Sequence, residues 1–138
     1  MGAWSIESFG NDTAGDWAFG LEEASDLSLV RETIQKVLDA GDEELDADAA
    51  SEAIAAVEII ARLKGNFGPR DSFSEPADTW VKAHPQQPPQ DLVDLAVQAL
   101  DRVLVQPSEL LDLWEESDEF EAWKSSVLDL KNRASKSP

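Results

Sequence analysis

DADAASEAIAAVEIIARLKG, residues 46–65, is the most apolar run in the chain and decides its fold. Ala49, Ala50, Ala53, Ile54, Ala55, Ala56, Val57, Ile59, Ile60, Ala61 and Leu63 leave polar side chains only as interruptions. Alanine is the best helix former, and its small side chain lets neighbouring helices approach closely. A helix apolar round most of its girth is the buried centre of a bundle. The interruptions, Ser51, Glu52, Glu58, Arg62 and Lys64, fall mostly on one side at helical spacing. Glu58 and Arg62, four apart in the favourable order, read as a surface pair. Asp46 stands where a cap is needed and Gly65 where the helix must stop.

Outward from this run, apolar side chains recur at helical spacing on both sides. Toward the N-terminus, Asn11 or Asp12 can cap a helix whose inner face is Ala14, Trp17, Ala18 and Leu21. Asp26 or Ser28 starts a second, carrying Leu29, Val30, Ile34, Val37 and Leu38 and stopped by Gly41. The connector DEELDAD, residues 42–48, reads as solvated; it lacks the alternate acids, Gly and distant Glu of a calcium loop. Beyond Gly65, Phe67 and Phe73 are expected to fold back as anchors, and Pro76 to His84 to form a short helix with Trp80 inward. The prolines of HPQQPPQ, residues 84–90, make a stiff spacer. An amphipathic helix follows from Asp91 to Leu104, ended by Pro107, then a short one capped by Ser108 with Leu110, Leu111 and Trp114 inward. Ser117 or Asp118 caps the last, whose Phe120, Trp123, Val127, Leu128 and Leu130 should face the core. Lys131, Arg133 and Lys136 then complement its dipole.

No segment alternates with strand period. The expectation is therefore all-α: a single-domain helical bundle, residues 1–138, with about five to seven helices around the central Ala-rich one. Trp4, Ile6 and Phe9 are too large to leave in solvent, so residues 1–10 should form a docked arm. Residues 131–138 should be a frayed tail.

Composition narrows the function. The 138 residues include no cysteine and one histidine, His84, which removes thiolate chemistry and leaves a histidine metal site or a Ser-His-Asp triad resting on one loop residue. Asp and Glu number 29 against 11 Lys and Arg, a formal net charge of -18. Such a surface repels phosphate backbones and anionic membranes, so neither nucleic acid nor membrane is expected as a partner. No apolar stretch has transmembrane length, and the N-terminus lacks a signal-peptide pattern, which makes the cytoplasm the expected location.

Two stretches carry more than pattern. The opening G-A-W-S-x-x-x-F-x-N-D-x-A-x-D-W, residues 2–17, resembles the start of a bacterial family catalogued as domain of unknown function 4259. E-A-I-A-A-V-E-I-I-A-R-L-K-G, residues 52–65, and S-E-L-L-D-L-W-E-E, residues 108–116, are similar to its later blocks. Ser5 departs from the glycine usual there. The resemblance implies a small, acidic, cytoplasmic bacterial protein of one domain, with no assigned activity.

Two functional readings follow. The first is a non-catalytic protein-interaction module that offers an acidic helical surface to a basic protein partner, with no cofactor. The alternative is a carboxylate site for Mg²⁺, Mn²⁺ or Ca²⁺, of the kind that can support hydrolysis, drawing on Asp12, Asp16, Glu52 and Glu58. Glu52 and Glu58, six apart, point about 120° from each other on one helix, which weighs against a shared ion. A third arrangement would join Trp4, Asn11 and Trp17 in a ligand pocket, although aromatic side chains at helical spacing more often form core. No phosphate loop, nucleophile elbow or dinucleotide fingerprint is present, so catalysis is not expected.

Overall fold

The computed structural model describes residues 12–68 and 74–136. Among these, seven helices form in chain order: α1 (Asp12–Leu21), α2 (Ser28–Leu38), α3 (Ala47–Leu63), α4 (Glu75–Ala83), α5 (Gln90–Val103), α6 (Glu109–Glu115) and α7 (Phe120–Ser135). No strand forms among them; Leu45 and Ser108 make one isolated parallel bridge. The all-α bundle is as the hydrophobic periodicity requires.

The central helix begins where Asp46 turns extended (φ -64, ψ 138) and its carboxylate accepts the Ala49 amide hydrogen at 3.1 Å. This satisfies one of the four orphan amides at the start of α3. The helix ends at Gly65, whose φ of 85° favours a residue without Cβ. Between these stops, Asp48 is exposed and Glu52 half-buried, and every other α3 side chain is buried. The polar stripe expected on α3 is thus not a surface: Ser51 is 3%, Glu58 1% and Arg62 2% exposed. Apart from Asp48 and Glu52 the helix is covered, because all six other helices pack on it.

Around α3 the neighbours also pack on one another. Helix α4 packs on α1, α2 on α5, α5 on α7 and α7 on α6. Trp17 joins α1 to α2, its indole N–H donating to Thr33 Oγ at 2.9 Å. Trp80 points inward as expected, 3% exposed, and its indole donates to the Ala24 carbonyl in the α1–α2 turn. His84 stacks on the Trp80 ring at 4.5 Å, with Nδ1 2.9 Å from the Trp80 carbonyl.

Two long-range loop contacts meet at the N-terminal end of α3. Leu45 exchanges backbone hydrogen bonds with the α5–α6 connector, donating to Pro107 and accepting from Glu109. Arg102 fastens the same junction: its guanidinium donates to the carbonyls of Gly41, Glu43, Val105 and Pro107 at 2.7–3.0 Å. The planar fork of arginine spreads five N–H donors over three nitrogens, whereas lysine has three on a single nitrogen. Of the connector 42–48, expected to be solvated, residues 42–44 are exposed and held rather than loose, but Leu45 is buried and residues 47 and 48 already belong to α3.

Ser108 caps α6 as its position predicts, accepting from Leu111 N. The cap of α2 differs: Leu27 occupies the position, and Asp26 instead accepts the Ser28 amide in a tight turn. Helix α7 also corrects two expectations. Leu128 is 42% exposed, because the buried stripe runs through Trp123, Val127, Leu130 and Ala134. Residues 131–135, expected to fray, form the last turn of the helix.

Candidate acidic surface, groove and buried ion-pair centre

The residues singled out by sequence separate into three places. Trp4 and Asn11, and the docked arm they belong to, lie outside the described residues, as does Phe73. Asp12 and Asp16 are exposed on α1, where Asp12 sits in the first turn. Trp17, 7% exposed, and the half-buried Glu52 border one groove of about 550 Å³ between α1, α2 and α3. Helix α2 supplies the rest of its described lining: Leu29 and Thr33 low down, Glu32, Gln35 and Lys36 along it, and Asp39 just past its end.

Glu58 belongs to neither place. Its carboxylate accepts from both Nη atoms of Arg133 on α7, at 2.6 and 3.1 Å, and stands 3.3 Å from Arg62 Nε. Arg62 Nη1 in turn reaches Asp78 on α4 at 2.7 Å, and Ser74 Oγ donates to the same carboxylate. The Phe67 ring lies 5.4 Å from the Arg62 guanidinium carbon, within cation–π range. Asn66 and Lys64 close the far side by donating to carbonyls at the end of α7. Burial opposes the charge on Arg133, yet the hydrogen bonds and attraction of Glu58 and then Asp129 hold its pKa above the ordinary value. The centre thus joins α3, α4 and α7 through charges removed from water, which persist only when paired and hydrogen-bonded.

The surface pair expected at Glu58 and Arg62 is therefore corrected: both are core residues with partners on other helices. A usable signal lay in the sequence. Charges set in a helix with apolar neighbours on every side must find opposite charges elsewhere in the fold. The partners, Asp78 and Arg133, could not be singled out from it.

The remaining acidity is spread over the outside. Among the described residues, Glu58, Asp78, Asp91, Asp101 and Asp129 are the carboxylates within 4 Å of a Lys or Arg. The others are dense over residues 42–48 and again over residues 109–121, where Glu109, Asp112, Glu115, Glu116, Asp118, Glu119 and Glu121 are all exposed. Val105 and Leu113, 56% and 46% exposed, stand among them. Beneath Leu113, the Trp114 and Trp123 rings stack at 5.6 Å and join α6 to α7. No group of three or more His, Asp or Glu among the described residues is disposed to hold a metal ion. No helix among them is long and apolar enough to cross a membrane.

The model of the family described as Domain of unknown function (DUF4259) matches residues 2–126. The chain belongs to that family. Within this DUF4259 chain the match takes in α1 to α6, the first part of α7, the groove and Glu58, Arg62 and Asp78; it ends before Asp129 and Arg133. No curated protein and no solved structure matches the chain.

Proposed function

We propose that this protein is a non-catalytic interaction module whose acidic helical surface receives a basic protein partner. The supporting observation is the surface charge left without a counter-charge. Apart from five carboxylates, the described acidic side chains have no Lys or Arg within 4 Å, and nearly all are exposed. Holding so many like charges on one small surface works against the compact state, and a cationic partner relieves it. Exposed carboxylates interrupted by single apolar side chains such as Leu113 suit an interface in which charge steers and a few contacts anchor. The divalent-cation reading gains no comparable support, since Glu58 is committed to Arg62 and Arg133.

The test is cross-linking in the native cell, identification of what is captured, and reconstitution from purified components. A defined complex with a protein bearing a positive face, whose association rate falls steeply as salt rises, supports the reading. An association indifferent to salt, or the recovery of no protein, overturns it. A rise in unfolding temperature with Mg²⁺, Mn²⁺ or Ca²⁺ alone, beyond a monovalent control of equal ionic strength, would transfer support to the cation site.

A further inference from the structure

We infer that the groove between α1, α2 and α3 is the seat for a lysine or arginine side chain of the basic partner, an assignment that rests on the interaction reading above. The polar side chains in the described floor are bonded to one another or to the backbone. Trp17 donates its indole hydrogen to Thr33, and Thr33 donates its own hydroxyl hydrogen to the Leu29 carbonyl at 2.7 Å. What remains at the bottom is the Leu29 side chain and the accessible edge of Trp17. The rim is charged: Glu32, Asp39 and Glu52 against Lys36. Asp39 already accepts from the Gln35 amide at 3.0 Å, which leaves Glu32 and Glu52 without a hydrogen-bonded side-chain partner among the described residues.

An apolar floor under an anionic rim selects an amphipathic cation. A lysine or arginine side chain lays its methylene stem on apolar surface and keeps its charged head at the edge. An anion is repelled by the rim, and a neutral apolar group would strip water from Glu52 without compensating it. A bare divalent ion wants several converging oxygens, and no group of three acidic or histidine side chains provides them among the described residues. The volume of about 550 Å³ has room for such a side chain.

The experiment is an amide NMR titration of the full chain with N-acetyl-arginine amide and N-acetyl-lysine amide, with N-acetyl-citrulline amide as the neutral isostere. Expected are saturable shifts at the Trp17 indole, along α2 and at Glu52, produced by both cations and not by citrulline. Glu32→Gln with Glu52→Gln should weaken binding about tenfold, the size of one or two charge-assisted contacts. The charge-matched pair Asp94→Asn with Asp101→Asn, exposed on α5, should leave it unchanged, and Lys36→Gln should tighten it. Shifts scattered evenly over the acidic surface, equal binding of citrulline, or indifference to the groove variants would overturn the assignment, as would shifts that grow with protein concentration alone, which make a second copy the occupant. The reconstituted complex separates the two levels. If the groove variants bind the partner as the wild type does, the groove fails and the interaction reading stands. If no partner exists, that reading fails, and the titration still decides what the groove accepts.

Discussion

Replacing Glu58 by alanine removes the carboxylate that two guanidinium groups share inside the bundle. Arg62, 2% exposed, would keep Asp78 but lose its neighbour on α3, and Arg133 would keep the outward-facing Asp129 and the Asn66 carbonyl but no buried carboxylate. Breaking a buried pair by deleting one partner costs about 3–5 kcal/mol, because the stranded charge stays desolvated. With about 2.1 cal/mol/K of unfolding entropy per residue, 138 residues give about 0.29 kcal/mol/K, so the Tm should fall by about 10–17 °C. The internal control is Asp129→Ala. Its side chain is 64% exposed, so its pair with Arg133 should be worth less than about 1 kcal/mol. Urea denaturation followed by tryptophan fluorescence measures both, and an unchanged m-value confirms that the same two states are compared. Adding Arg133→Ala to Glu58→Ala should cost less than the two single losses summed, by about 0.5–3 kcal/mol. If Glu58→Ala and Asp129→Ala lose the same amount, each under about 1 kcal/mol, the centre carries no special burden and the reasoning is wrong.

Arg102→Ala should destabilise the chain by about 1–3 kcal/mol, and Arg102→Lys should not restore it, since one ammonium cannot serve four carbonyls in two connectors; urea midpoints decide. Gly68→Ala places a Cβ 2.8 Å from the Arg133 guanidinium carbon, which Glu58 prevents from yielding. It should cost about 1–3 kcal/mol, and most of that loss should vanish in an Arg133→Met background. Asp91 has its pKa lowered, first by the hydrogen bond from Arg31, which stands 3.0 Å away. A group depressed in the folded state contributes stability above its ordinary value near 3.8, and the contribution is lost as pH falls through the folded value. A carboxyl-carbon NMR titration should show Asp91 titrating below that value, and Arg31→Gln should return it upward.

How far the sequence could be read depended on the distance over which each residue's role is decided. The character of α3 is local: alanines and isoleucines on every side, with Asp46 and Gly65 as stops, permit only a covered helix. The Ser108 cap and the inward Trp80 are local in the same sense. Glu58 and Arg62 are not. Four residues apart, they look alike whether they line a surface or a core, and the difference is made by Asp78 on α4 and Arg133 on α7, which arrive from far along the chain. Arg133 misled for a related reason, since a cation near a helix end has a sufficient explanation in the dipole. Leu128 misled because a leucine two positions from the buried Leu130 belongs to another face. Of the candidate site residues, Trp17 and Glu52 meet in the groove only because α1 and α3 pack together; nothing in their spacing joins them.

Because every other helix rests on α3, the bundle has no part that can open without uncovering it. Detaching α2, α5 or α7 would expose alanine and isoleucine positions that have no polar face to turn outward. The amides between Ala53 and Ala61 should therefore exchange with solvent through one global opening, as a single protection class, while fraying is confined to the ends of the outer helices. A central helix that turns only Asp48 and Glu52 outward makes the seven-helix bundle its own smallest cooperative unit.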